Sequence, residues 1–246
     1  MRALILGGGF STRLGALTET TPKGLLDIQG SPMMAQILDQ ILAQRAAGHI
    51  SEICLVSNSR YFSVFQSWLN EQNLAEIVKL IDDGAQTNET RLGAIGDLAL
   101  VLHQLGWSDD LLVVSSDTRT SLQLQQLMDF FSAKRACVNA VFDTHDLEVI
   151  RGKLGNVLLD GSGQITTFVE KPHQPISTLT SIPYYIFTRD SLELVSEFIQ
   201  SGASTDSPGS LIQWLAAKVP VYGYVVDGYY MDVGTPEMLE RARRGV

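Results

Sequence analysis

"RALILGGGFSTRLGALTETTPKGLLDIQG", residues 2–30, is the stretch on which the fold turns. Ala3, Leu4, Ile5 and Leu6 form a short apolar run that reads as a buried strand, and the glycines from Gly7 to Gly9 end it. Thr12, Arg13 and Lys23 follow closely. Glycines let backbone N–H groups approach a ligand, while Arg and Lys supply positive charge; together they suit a polyphosphate. A tight strand-to-helix turn uses the same glycines with nothing bound, so the loop alone leaves both readings open. On the first reading, bulk at Gly8 blocks the ligand and leaves the core intact.

The rest of the chain narrows the choice. Its 246 residues are 45% hydrophobic and 18% charged, which fits one large α/β domain or two tightly fused lobes around a sizeable core. A formal charge of −9 argues against a nucleic-acid partner, which needs a basic face. It leaves room for a small phosphorylated ligand, which needs only a few local cations. The apolar run near the amino terminus is ended by glycine, so it reads as strand rather than signal peptide. No apolar run is long enough to span a membrane. Cys54 and Cys137 sit in apolar, strand-like runs and read as buried free thiols, which points to a reducing, cytoplasmic setting.

Strand and helix then alternate. Ser31-Pro32 opens a helical run in which Met33, Met34, Ile37, Leu38, Ile41 and Leu42 share one face and Gly48 marks the stop. "EICLVSN", "EIVKLID", "DLLVVSSD" and "CVNAVFD" read as strands. "YFSVFQSWLNEQ", "TRLGAIGDLALVLHQLG" and "SLQLQQLMDFFSAKR" read as helices, the second with Leu92, Ile95, Leu98, Ala99, Leu102 and Leu105 facing inward. This alternation predicts a mostly parallel sheet with helices on both faces. After about residue 144 the pattern turns antiparallel. "GNVLLDGSGQITTFVEKP" reads as a hairpin, "IPYYIFT" as a strand, and "PVYGYVVDGYYMDVGT" as a strand pair before a closing helix. The organisation expected is one domain, residues 1–246, with a mostly parallel part (1–144) and a more antiparallel part (145–246).

In an open parallel sheet, ligands bind at the carboxyl ends of the strands. Asp117 ends "LLVVSSD" at the same edge as the glycine loop, and Asp232 in "YYMDVGT" is a second carboxylate between a strand and a glycine. Lone carboxylates at strand ends often only cap turns, but two beside a phosphate loop suit a hard cation such as Mg²⁺. Glu170 and Lys171, in "FVEKP", are either a solvated edge or a sugar-phosphate clamp, Glu170 accepting from hydroxyls and Lys171 pairing with phosphate. The loop lacks the Gly-Lys-Ser/Thr of a P-loop, and Thr12 stands where a dinucleotide fingerprint needs its third glycine.

Taken in order, these segments resemble the sugar-1-phosphate nucleotidylyltransferases. "GGGFSTRLGALTETTPKGLL" is similar to that family's GGxGTRL, spacer and PKxLL; "SSDT" stands where it has GD; "FVEKP" matches VEKP, and "MDVGTPE" matches WxDxGT. The resemblance implies a Rossmann-like nucleotidyltransferase (GT-A-type) fold, class α/β, with a mixed, mostly parallel sheet flanked by helices. It also implies residue roles. Arg13 and Lys23 contact pyrophosphate; Asp117 and Asp232 hold Mg²⁺; Glu170 and Lys171 meet the sugar phosphate; the backbone of Gly155 meets the sugar. The glycine loop (Leu6, Gly7, Gly8, Thr12) and the loop after the third strand, with Asn88, Thr90 and Arg91, meet the nucleotide. The chain departs from the pattern twice: Ser11 and Ser116 replace glycines. If position 11 needs a positive φ, a serine there is strained.

The reaction implied is NTP plus sugar 1-phosphate giving NDP-sugar and pyrophosphate. The nucleophile is a phosphate oxygen, already ionised near neutral pH, so no general base is needed. CTP stands open beside dTTP and UTP, and a homo-oligomer is left open. One rival is a cytidylyltransferase for phosphocholine or a polyol phosphate, for which Tyr184, Tyr185, Tyr229 and Tyr230 are candidates for an aromatic box, although paired tyrosines on strands more often serve packing. A second is a non-catalytic, nucleotide-sugar-binding regulatory subunit, which should have lost a metal Asp or the loop Lys. A third is a GT-A-type glycosyltransferase, which normally carries a DxD motif that Asp117-Thr118-Arg119 lacks.

Overall fold

A computed structural model describes residues 1–245. The opening strand is β1, Arg2–Gly7. Its alternation sends Ala3 and Ile5 into one core and Leu4 into the other, as a strand buried on both faces requires. Two 3₁₀ segments, Thr12–Thr18 and Lys23–Leu25, lead to a small hairpin of β2 (Asp27–Ile28) and β3 (Ser31–Pro32). Ser31 therefore sits in a ladder and does not cap a helix; α1 spans Ala35–Ala46 behind Met34, which makes no side-chain cap. Next come β4 (Ile53–Ser57), α2 (Phe62–Glu71), β5 (Val78–Asp82), α3 (Ala94–Leu105) and β6 (Leu111–Ser115). The order β6-β1-β4-β5 is parallel throughout.

β7 (Thr118–Thr120), α4 (Leu124–Lys134), β8 (Cys137–Asp143) and α5 (Leu147–Ile150) follow. The hairpin of β9 (Asn156–Leu159) and β10 (Ile165–Val169) forms as its sequence predicts. β11 (Leu179–Phe187) is antiparallel to β6 on one side and β8 on the other, so it joins both parts of the chain into one nine-stranded sheet. The remaining elements are α6 (Arg189–Glu193), α7 (Val195–Gln200), α8 (Pro208–Ala216), β12 (Val221–Val226), β13 (Tyr230–Asp232) and α9 (Pro236–Arg244).

One core lies under α1, α2 and α4, with Ile37, Ile41, Phe65 and Leu127; the other lies under α3, α7 and α8, with Leu98, Phe198, Leu211 and Leu215. A third cluster joins Leu14, Leu26, Ile28 and Met33 to Val233 and Leu239, so α9 docks on the segment that follows the glycine loop. Burying aliphatic side chains of this size is worth about 1.5–3 kcal/mol each, which makes that docking a firm link between the chain's two ends.

Three further expectations need correction. β12 and β13 do not pair with each other: β12 runs parallel to β8, and β13 pairs antiparallel with β7. Gly228, at φ +98°, lies at the turn that separates them. α3 begins at Ala94 and not near Thr90, which leaves Leu92 exposed. The cause is Gly93, at φ +77° and pressed against the Thr205 carbonyl, which receives the N–H of Ile95 at 2.9 Å. Tyr184 and Tyr185 cannot share an aromatic box, because strand alternation buries them in opposite cores.

Candidate active site

Asp117 lies just past β6, and the next residues form β7. Because β7 pairs with β13, Thr118 stands opposite Asp232, which brings the second aspartate beside the first. Lys23 reaches them from the second 3₁₀ segment. Its Nζ lies 2.7 Å from Asp117 Oδ2 and 2.9 Å from Asp232 Oδ1, and the lysine is only 8% exposed. Burial opposes the ammonium charge, but the two carboxylates outweigh it and the pKa of Lys23 is raised. Burial likewise opposes ionisation of Asp117; Lys23 and the Ser115 hydroxyl, which donates to its Oδ1, hold its carboxyl below the ordinary value. The two aspartates expected to hold metal and the lysine expected to hold pyrophosphate thus form one cluster.

The glycine loop is pinned from behind. Asn58, fully buried, donates Nδ2–H to the Gly8 carbonyl at 2.9 Å and accepts from the Tyr61 N–H at 3.1 Å. The Tyr61 hydroxyl donates to the carbonyls of Phe10 and Thr18. Ser11 has φ 51° and ψ 39°, the left-handed conformation for which a glycine is the usual choice. The serine at 116 is accommodated by Gly24, where a Cβ would lie 2.9 Å from three Ser116 atoms.

Gly8 corrects an expectation. A Cβ there would fall 2.5 Å from Asp97 Oδ2 and 3.1 Å from Asp83 Oδ2. Bulk at this position strikes the protein itself, so Gly8 is structural whatever it does for a ligand.

Leu6, Gly7, Gly8, Lys23 and Asp117 line a cleft of about 380 Å³, together with Asn88 and Arg91 from the far loop. Arg91 makes a two-pronged contact to Asp206, at 3.0 and 2.8 Å, and donates to the Asn88 carbonyl at 2.6 Å. The loop after β5 is thereby tied to the segment before α8. Thr90 closes a local turn, its Oγ1 taking the N–H groups of Gln86 and Thr87. Thr12 and Arg13 are exposed, with the Arg13 guanidinium lying along Gly234, two residues past Asp232.

Glu170, Lys171 and Gly155 gather around α8. Glu170 accepts from the Ser207 hydroxyl at 3.0 Å, and a Cβ on Gly155 or on Gly209 would lie 3.1 or 2.3 Å from its Oε2. Lys171 adopts φ 48°, which turns the exposed end of β10 back; its Nζ lies 3.7 Å from Glu170 Oε1.

Sequence reasoning missed Asn58, Asp83, Asp97, Asp206 and Ser207. Asp83 follows a strand end, the signal that found Asp117. Asp97 lies one turn before Val101 on the buried face of α3, where a carboxylate is out of place. Asn58, Asp206 and Ser207 carry no local signal, since their roles exist only through contacts with distant segments.

A mixed sheet whose parallel strands carry a glycine loop after the first of them and a Lys-Asp-Asp cluster at their carboxyl edge defines the class: α/β proteins with a polar cleft at that edge. The chain belongs to the nucleotidyl transferase family, whose model matches residues 2–246. It is similar to mannose-1-phosphate guanylyltransferase 1 of Arabidopsis thaliana, 30% identical over 240 residues, covering 96% of this chain and 62% of that one. It is also similar to mannose-1-phosphate guanylyltransferase of Mycobacterium tuberculosis, 27% identical, covering 96% and 61%. The chain thus spans about three-fifths of the length of these curated relatives. In shape it is like UDP-glucose pyrophosphorylase solved with UDP-glucose: TM-score 0.77, 19% identity, 99% of this chain and 97% of that one. The expected fold and family resemblance both hold. No helix among the described residues is long and apolar enough to cross a membrane.

Proposed function

We propose that the chain transfers a nucleotidyl group from an NTP to a sugar 1-phosphate, giving an NDP-sugar and pyrophosphate. The observation that carries this is the convergence of Lys23, Asp117 and Asp232 beside the glycine loop. The names of the relatives favour GTP and mannose 1-phosphate as the pair, a base that the loop sequence alone did not bring forward. Aromatic packing of Tyr184 and Tyr185 in opposite cores speaks against a choline site. Convergence of every charged group of the cluster speaks against a non-catalytic subunit.

Two carboxylates brought side by side, here both on the Lys23 ammonium, suit Mg²⁺, which takes one or two carboxylates together with ligand phosphates and waters. Asp117 and Asp232 would hold it; when bound, it supplies charge neutralisation between two anions that must approach each other. The chain's own residues do the rest. N–H groups of the glycine loop and Lys23 take the triphosphate, and Arg13 flanks the leaving pyrophosphate. Glu170 accepts from sugar hydroxyls and Lys171 orients the acceptor phosphate. Proton transfer is not required, so rate depends on alignment and on fixed charge.

Pyrophosphate release from a panel of NTPs against sugar 1-phosphates, phosphocholine and polyol phosphates tests the reading. Turnover confined to sugar 1-phosphates supports it; no turnover with any pair, in Mg²⁺, removes it.

A further inference from the structure

β11 is interrupted by a bulge. Ser181 stands opposite Val141 of β8 and Tyr185 opposite Asn139, so Ile182, Pro183 and Tyr184 together face Ala140 alone. Proline is at home in a bulge, where its missing N–H leaves no donor unpaired. Pro183 is half-buried and lines the cleft together with Ser115, Ser116 and Asp117.

Asn139 holds the bulge in shape. It is fully buried in the middle of β8, and strand alternation puts it on the face where Cys137 and Val141 join the core under α3, α7 and α8. An amide is out of place there unless it is hydrogen-bonded. Its Nδ2 donates to the Ala140 carbonyl at 2.9 Å and to the Ile182 carbonyl at 3.0 Å, with the Tyr184 carbonyl at 3.4 Å. Its Oδ1 meets no donor among the described residues. The amide therefore serves the bulge through its donors alone, and an aliphatic side chain of the same size would leave those carbonyls unpaired.

The bulge is the joint between two walls of the cleft. Before it, β11 leans on β9: the Ser181 N–H and the Thr180 hydroxyl both donate to the Gly155 carbonyl at 2.9 Å, and Gly155 lies against Glu170. After it, β11 leans on β6: Tyr184 pairs with Val114 and Tyr185 with Val113, and β6 runs on to Ser115 and Asp117. One strand thus carries the acceptor side of the proposed reaction at one end and the Asp117 side at the other, and its bulge sets the offset between them. In-line attack depends on that offset.

We infer that Asn139 is a positioning residue: by clamping the bulge at Ile182–Tyr184 it fixes the placement of Gly155 relative to Asp117, and so aligns the acceptor phosphate with the α-phosphorus of the NTP. The inference rests on the proposed nucleotidyl transfer and adds to it a residue that touches neither substrate.

The test compares the full chain with Asn139→Leu, which matches the amide in size and cannot donate. For whichever NTP and sugar 1-phosphate turn over, kcat is expected to fall about 10- to 100-fold, the scale of a misplacement of about 1 Å. NTP affinity by calorimetry and the KM of the acceptor are expected to stay within about threefold, a split that a general loosening of the fold would not give. Asn139→Thr keeps one donor on a strand-forming residue and is expected to recover part of kcat. Pro183→Gly frees the bulge from its other side; it should lower kcat as well, and the double variant should fall no further than the worse single one. A folded Asn139→Leu with unchanged kcat overturns the inference, as does a loss confined to NTP affinity or acceptor KM, or a loss that multiplies with that of Pro183→Gly. If Asn139→Leu does not fold, unchanged kcat in both Asn139→Thr and Pro183→Gly overturns it. Each of these outcomes leaves nucleotidyl transfer standing, whereas no turnover by the unaltered chain with any pair removes the reaction and the inference together.

Discussion

Lys23 Nζ contacts Asp232 Oδ1 at 2.9 Å across 209 residues of sequence. With Asp117 at 2.7 Å on its other side, one ammonium holds together two carboxylates that would otherwise repel. Lys23→Met should therefore destabilise the fold by about 1–3 kcal/mol, a value discounted because the aspartates are roughly one-third exposed. Adding Asp117→Asn should recover part of that loss. Urea unfolding of the single and double variants checks this, and strictly additive effects would contradict it.

Turnover should depend on a divalent metal, because repulsion between two phosphates otherwise opposes attack. EDTA should abolish pyrophosphate release and Mg²⁺ restore it. Asp117→Asn should lose about 2.7–4 kcal/mol of transition-state stabilisation if it behaves like other removals of an electrostatic group. Full activity in EDTA would sink the proposal.

Lys23 and Lys171 should fail differently. Lys23 is buried in the cleft beside the glycine loop, and Lys171 is exposed at the end of β10 next to Glu170. Lys171→Ala should raise the KM of the acceptor about 10-fold or more and spare NTP binding, an exchange of one charged hydrogen bond for none. Lys23→Ala should weaken NTP binding. Calorimetry with NTP alone distinguishes them, and the reverse pattern would exchange the two assignments.

Gly8→Ala should lower the melting temperature, since its Cβ would lie 2.5 Å from Asp97 Oδ2 in a packed interior. Overpacking of this kind costs about 1–3 kcal/mol. Combining it with Asp97→Ala removes the colliding atom and should restore part of the loss. An unchanged melting temperature for Gly8→Ala would show that the carboxyl pair moves aside freely.

Stability should also carry the signature of Asp97. Its carboxyl is pushed up to about 8, first by burial and then by Asp83. A raised carboxyl pKa means that the folded chain keeps a proton the unfolded chain has released. Stability therefore falls as pH rises from about 4 through about 8. Asp97→Asn removes this titration, so the variant should gain on the unaltered chain across that window, by about 2–4 °C per kcal/mol. Melting curves that shift in parallel at every pH would refute it.

Residues 2–30 already state the strand, the glycine stop and the cations beyond it, because a period-two apolar run and a glycine turn are local properties. Asp117 was legible for the same reason: it ends a strand, and the fold rule for parallel sheets says which edge a strand end faces. The positive φ of Ser11 was foreseen as a condition and is met. What the sequence could not state was pairing. β13 leaves β12 for β7 because that ladder, and the packing of Val233 and Leu239 on Leu14 and Met33, are contacts between segments more than a hundred residues apart. That choice places Asp232 on Lys23. Likewise, only the close approach of α3 to β1 reveals that Gly8 carries no side chain because two carboxyls occupy the space. Local pattern determined which groups carry charge and on which elements; long-range packing decided which of them share a cleft.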